Sequence, residues 1–329
     1  MFRTIAAGLL LAAFSSAAFA ADEAPEKGTF SVLFENDVFF NSDRAYTDGV
    51  QFAWTSAVRD SWSSVTSLAR DLPFFAQEGD VRTTLALGQN IYTPRNINLA
   101  NPNPKDRPYA GYLYGEIGLI NHVESGRLDQ MNLQLGVVGP ASLAEQTQNT
   151  VHKLINNDEA NGWKYQLKNE PTAELTYERA WKLISPQSFA GLLFDVDPHV
   201  GAAVGNVYDY ANVGAVARFG FPLPDDYGPV RIEPNTAGSN WFEPTGAIGA
   251  YVFAGVDGRA VARNIFLDGN TWDHSRSVNK VPFVGDLQLG AAITSYNWRL
   301  TFTHVFRSKE FEHQHYDEQF GAINLSYRY

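Results

Sequence analysis

Between residues 34 and 50 the chain sets Asn36, Asp37, Asp43, Arg44 and Thr47 into the link between two segments of strand character. Upstream, Thr29 to Val38 mixes β-branched and aromatic residues; downstream, Val50, Phe52 and Trp54 alternate with Gln51, Ala53 and Thr55, a period of two. A hairpin rim carrying this many carboxylate, amide and hydroxyl groups has the oxygen donors to hold a hard cation or polarise a carbonyl. The same residue types also favour turns, so this stretch read alone supports both.

A second group lies in 140–169, where the strand rhythm stops. Ser142 with Glu145 three residues on reads as a capping box, and predicts a helix over roughly 142–156, ending at Asn156-Asn157. Leu143, Val151, Leu154 and Ile155 share an apolar stripe on it. His152 sits in this helix beside Lys153 and shortly before Asp158 and Glu159. With an unperturbed pKa of about 6.5, a histidine there can act as a general base on water; an exposed helix histidine would read the same. His122, His199, His274, His304, His313 and His315 lack such a neighbourhood, although His313 and His315 form a weak metal-type pair. No G-x-S-x-G, P-loop, G-x-G-x-x-G or H-E-x-x-H occurs.

The elements that must position these groups read as strands. Residues 1–20, with Arg3, an apolar run from Ile5 to Phe14 and Ala18-Phe19-Ala20, have the pattern of a secretory signal peptide, leaving 21–329 as one domain. About twelve segments of strand character follow, near 28–38, 47–58, 81–92, 109–122, 127–138, 170–184, 190–204, 210–220, 246–263, 281–295, 296–308 and 318–329. Most alternate: in the last, Ile323, Leu325, Tyr327 and Tyr329 oppose Ala322, Asn324, Ser326 and Arg328. These features predict an all-β fold, a transmembrane antiparallel barrel of about 12 strands with a short extra loop helix. An even count puts both termini in the periplasm and turns the connections 39–46, 93–108 and 205–209 outward, with the helical segment fitting this scheme less simply. Aromatic residues at 13% could furnish the interfacial girdles, and the absence of cysteine excludes disulfide staples and thiol chemistry. No later segment reaches 18 continuous apolar residues, and mean hydropathy is −0.24, which excludes helical spans. The formal charge is −11, and losing residues 1–20 removes Arg3 and no acid, giving −12. That argues against nucleic acid as a partner, and requires any anionic substrate to meet a local basic patch or a bridging cation.

In order along the chain, these residues resemble the outer-membrane lipid A 3′-O-deacylase family. The resemblance runs through Glu35-Asn36-Asp37, Asp43-Arg44-x-Tyr46-Thr47-x-Gly49, Gln89-x-Ile91-Tyr92-Thr93-Pro94 and Asp106-Arg107-Pro108-Tyr109-Ala110-Gly111. It continues through Gly136-Val137-Val138-Gly139-Pro140-Ala141, His152-Lys153 and Trp163-x-x-Gln166-Leu167-x-Asn169-Glu170. It implies a twelve-stranded barrel in the Gram-negative outer membrane, with the active site between the wall and a loop helix and facing the outer leaflet. The implied partners are lipid A or lipopolysaccharide and membrane lipids, and the implied activity is calcium-dependent hydrolysis of the 3′-linked acyloxyacyl ester. Carried over, Asn36 and Asp37 match the essential pair, Thr47 the hydroxyl of the turn, and His152 the base; Asp37 and Asp158 are the candidate metal ligands. Asp158 stands where the family has Glu, and the family's lysine after Ile-Tyr-[Ser/Thr]-Pro has no counterpart before Lys105. Arg44, Arg95, Lys105 and Arg107, with Lys153 and Lys164, are the candidate phosphate contacts, with a solvated rim or structural pairing as the alternative. Asp106-Arg107 in particular could pair structurally, and Trp163, Gln166 and Asn169 could simply fix the helix to the barrel. Other functions open to a barrel are an outer-membrane phospholipase, a passive porin and a surface adhesin.

Overall fold

The computed structural model describes residues 27–37, 45–154, 156–228, 230, 240–315 and 317–329. The expected signal segment 1–20, Asp43 and Arg44, and the side chain of Thr47, lie outside the described residues. The strands are β1 (Thr29–Asn36), β2 (Ala45–Thr55), β3 (Asp80–Thr93), β4 (Ala110–Val123), β5 (Arg127–Val138), β6 (Glu170–Trp181), β7 (Ile184–Phe189), β8 (Leu192–Gly205), β9 (Tyr208–Phe221), β10 (Ile248–Asn264), β11 (Phe283–Ser295), β12 (Trp298–Arg307) and β13 (Glu318–Arg328). Neighbours pair antiparallel, and β1 pairs with β13. β8 pairs with β6 through Ala180↔His199 and with β7 through Ile184↔Val196, so β7 carries on the line of β6 past an irregularity. The wall is therefore a closed barrel of twelve strands. Closure leaves no edge, the condition for a sheet to sit in lipid.

The alternation sorts two environments. Val32, Phe52, Leu87, Leu135, Val213, Val252, Ile293 and Leu325 all point outward and are exposed. A wall of exposed apolar residues suits lipid rather than water. At the end that carries the termini, an aromatic belt rings part of the outside. The Trp54 indole donates to the Tyr329 hydroxyl at 2.6 Å, and Phe30–Tyr329 and Trp298–Tyr327 ring centroids lie 4.9 and 4.6 Å apart.

Inward-facing residues line the lumen with charged groups that are largely paired. Arg218 pairs with Asp195 (2.5 Å) and with Asp226, which also takes Arg299 at 2.5 Å. Arg307 meets Asp286 at 2.9 Å, and His199 meets Asp257 at 3.0 Å. Pairing is what makes such burial tolerable, since a lone buried charge is costly. From the terminal end, Tyr227 and Trp241 pack onto Ile120, Leu128 and Ala180. From the opposite end, α3 (Ile265–Asp268) inserts Phe266, stacked on Tyr92 at 4.0 Å.

Tight links 124–126, 190–191 and 296–297 lie at the terminal end, together with α1 (Ser63–Asp71). The opposite end carries the close of β1 and the start of β2, with 94–109, 206–207, 265–282 and the described parts of 139–169 and 308–317. α2 (Ala144–Leu154) belongs to 139–169, so the helix shares an end with the Asn36 hairpin after all. No helix among the described residues is long and apolar enough to cross a membrane, which is silent about strands.

Candidate active site

β5 ends at Val138, and Gly139 turns the chain with φ +99°. A Cβ there would lie 2.5 Å from the carbonyl of Lys168, so both the conformation and the close approach require glycine. A 3-10 turn over Pro140–Ser142 follows. Ser142 Oγ donates to the Gly139 carbonyl at 2.6 Å, and the helix begins two residues later than expected, behind Leu143. The expected capping box is therefore absent: the tight turn engages Ser142 first. The Asn169 side-chain carbonyl accepts from the Ala141 N–H at 2.7 Å and pins the turn from across the loop.

Ala144, Gln148 and His152, four residues apart, form the buried face of α2. They lie on the outside of the wall, not in the lumen. Gln89 and Ile91 share the outward face of β3 with Leu87, while Asn90 and Tyr92 point inward. Gln89 Nε2 donates to the Ser142 carbonyl at 2.6 Å, and Ile91 packs with Ala144, Ile97, Tyr109, Ala160 and Trp163. Gly111 on β4 permits this approach, since a Cβ there would lie 2.2 Å from both Ala144 Cβ and Ser142 Oγ. Trp163 Nε1 donates to Gln148 Oε1 at 2.9 Å, so Trp163 does fix the helix to its surroundings, while Asn169 holds the turn that leads into it.

His152 is only 4% exposed. The chain leaving α2 wraps around it: the Asn157 N–H donates to the His152 carbonyl at 2.8 Å, and His152 Nδ1 meets the Asp158 carbonyl at 2.5 Å. A carbonyl oxygen can only accept, so Nδ1 carries a proton, and in the neutral tautomer this selects, the lone pair is on Nε2. This is the arrangement a general base needs.

Asn36 ends β1, is in register with Asp48, and donates its amide to the Asp48 carboxylate. Asp48 is in turn in register with Ile91, beneath α2. Asn36 and Asp48 thus occupy the outward face two and one strands from the wall that α2 covers. Asp37 follows directly and is fully buried. The β2–β3 register breaks between Tyr46 and Asp48, a bulge at Thr47, and bulges commonly re-aim side chains beside sites. Asp48 was absent from the sequence candidates; only the hairpin register reveals that it faces Asn36.

The expected cations separate. Arg95 and Lys105 are exposed in the 94–109 loop at this end. Arg107 is elsewhere: it is 1% exposed in the lumen, 3.3 Å from Glu310, 3.7 Å from Glu318 and 5.1 Å from the Tyr92 ring centroid. Its expected place at the rim is corrected, because Arg107, three residues before β4 begins at Ala110, turns inward, where barrel closure buries it. Nor does its guanidinium pair with Asp106, whose carboxylate accepts the N–H groups of Arg95 and Arg107 at 2.9 Å. Arg276, not foreseen, braces the same loop by donating to the Pro102 carbonyl at 2.8 Å. Asp158 is exposed, and its carboxylate accepts from Asn98 at 3.4 Å.

Among the described residues no three His, Cys, Asp or Glu side chains converge as a metal cluster. Asn36, Asp37 and Asp48 nevertheless form a set of oxygen donors at one hairpin end, the ligand chemistry of calcium or magnesium rather than of zinc.

The family description "Outer membrane protein LpxR" matches residues 6–329. The chain belongs to the LpxR family. Among solved structures, LpxR from Salmonella typhimurium superposes with a TM-score of 0.73 at 18% identity, over 92% of this chain and 100% of that one. The β domain of the Bordetella autotransporter BrkA gives 0.44 at 11% identity, over 92% of this chain and 99% of that one. No match is found among curated proteins. Membership of the LpxR family makes this an outer-membrane protein, and the Salmonella match establishes its barrel fold.

Proposed function

We propose that this barrel is a lipid A deacylase, hydrolysing the 3′-linked acyloxyacyl ester of lipid A in the outer leaflet. The observation that carries the reading is His152: buried, tautomer set by the Asp158 carbonyl, and held on the outside of the wall where membrane lipid would lie. In the proposed reaction His152 Nε2 takes a proton from water as its oxygen attacks the acyl carbon. The tetrahedral intermediate then expels the sugar 3-oxygen, which recovers that proton from His152. Asn36, or Thr47 at the bulge, donates to the developing oxyanion, a contact whose loss costs roughly 10²–10³ in rate. Asp37 and Asp48, with Asp158 as a further candidate, would hold calcium, which when bound supplies Lewis-acid stabilisation of the same charge. Arg44, Arg95 and Lys105 are the proposed phosphate contacts; Arg107, engaged in the lumen, is not. A passive porin is disfavoured because large side chains enter the lumen from both ends, Tyr227 and Trp241 from one and Phe266 from the other.

The test is mass spectrometry of lipid A from cells expressing the chain and its His152→Ala variant. The wild-type chain is expected to release the 3′-acyloxyacyl group, and the folded variant to release none. Intact lipid A with both proteins would remove the assignment.

A further inference from the structure

The apolar stripe of α2 is not the face that meets the wall. At 3.6 residues per turn the helix divides into three flanks. Ala144, Gln148 and His152 lie against the barrel. Gln146 and Lys153 lie on a polar flank, Lys153 paired with Glu159 at 3.1 Å. The third flank carries Leu143, Val151 and Leu154, which are 54%, 41% and 81% exposed. Leu143 also sits at φ +61°, a left-handed conformation that a leucine adopts only under strain. A strained leucine projecting outward gains nothing from water. It gains a great deal from hydrocarbon.

We infer that this flank of α2 is immersed in the lipid of the leaflet at its own end of the barrel, as an interfacial helix lying sideways on the wall. The occupant is the acyl layer of a bilayer. Two observations select it over a protein partner. The helix lies on β3 and β4, on the same outer face of the wall that exposes Leu87 and, across β4, Leu135. The opposite flank is polar, as it must be where the same helix faces water. Lipid on one side, protein on the second and water on the third account for Val151 and Leu154, for Ala144, Gln148 and His152, and for Gln146 and Lys153, while Thr147 and Thr150 supply small hydroxyl side chains on or beside the apolar flank. Immersion also fixes the depth of His152, which is carried on the same turns; this consequence rests on the proposed active site, whereas the immersion rests only on the outer-membrane barrel.

The chain has no cysteine, so a single introduced one reports a single place. Val151→Cys, Leu154→Cys, Leu135→Cys and Gln146→Cys, each labelled with an environment-sensitive fluorophore, are reconstituted as full chains into vesicles containing brominated phosphatidylcholine. Labels at 151 and 154 are expected to be quenched as strongly as at 135, and the label at 146 hardly at all. Quenching at 151 and 154 no greater than at 146 overturns the inference. So does protection of 151 by disulfide-linked dimers, which would mean that a second copy covers the flank. The combined variant Leu143→Ser, Val151→Ser, Leu154→Ser extends the test. Its turnover is expected to fall about tenfold or more on bilayer substrate, less than three buried aliphatic side chains could contribute, and little on detergent-dispersed substrate. Equal losses in both settings overturn the link to substrate depth. An inactive wild-type chain with quenched labels would instead remove the deacylase reading and leave the immersion standing.

Discussion

Gly111→Ala is a single methyl placed where the structure leaves no room for it. The new Cβ would lie 2.2 Å from Ala144 Cβ and from Ser142 Oγ. Carbon atoms prefer about 3.5–4.0 Å, so the start of α2 must lift from the wall by roughly 1.3 Å or more. Overpacking of this kind costs about 1–3 kcal/mol. Most of it falls on the helix, because the β3–β4 ladder holds Gly111 opposite Ile91. His152 lies two turns along the same helix, and a displacement of about 1 Å in a reacting group costs roughly 10²-fold in rate. The expectation is a barrel that keeps its heat-modifiable mobility on gels while deacylation, followed by mass spectrometry of purified lipid A, slows by about two orders of magnitude. Ala144→Gly in the same chain removes one of the two colliding atoms and is expected to restore part of the rate. A Gly111→Ala protein with wild-type turnover would refute the argument that contact between α2 and the wall positions His152.

Three further outcomes follow from other parts of the molecule. Asp48→Ala takes the carboxylate from the Asn36 amide, and turnover is expected to fall by roughly 10²-fold or more, as for loss of an oxyanion donor; exhaustive chelation of the wild-type protein is expected to stop turnover and added calcium to restore it, and turnover indifferent to both would eliminate the metal from the proposal. Burial pushes the Glu310 carboxyl up, but the Arg107 and Arg307 guanidiniums outweigh it and hold Glu310 below the usual carboxylate range. The stability this contributes is present above the unfolded pKa of about 4.3 and lost as pH falls through the lower folded value. Arg107→Met strips Glu310 of a partner, at a cost of roughly 3–5 kcal/mol, and is expected to move the acid-end loss of heat-modifiable mobility to higher pH. An unchanged profile would show that Arg107 is not the counter-ion of Glu310.

The faces of the strands were legible because alternation is covalent: successive side chains point to opposite sides whatever surrounds them. Ile323, Leu325 and Tyr327 therefore turn outward together, and Asn324, Ser326 and Arg328 inward, as the period of two required. The ordered motifs likewise singled out the Asn36 hairpin and His152, which the fold places at the same end of the barrel. The sequence did not say where an apolar helix face would point, because protein interior and lipid are both apolar; Leu143, Val151 and Leu154 look the same for either. Nor could it give the partner of Asn36, since Asp48 lies opposite only once the register of β1 and β2 is set. Ser142 carried a local capping signal, but the Gly139 carbonyl in a tight turn competed for its hydroxyl and won. Arg107 shows the same limit at long range. Its neighbours in sequence suggested a rim, while its partners Glu310 and Glu318 come from the far end of the chain. Closing the barrel brings them together, and the cost of an unpaired buried charge then holds all three in the lumen.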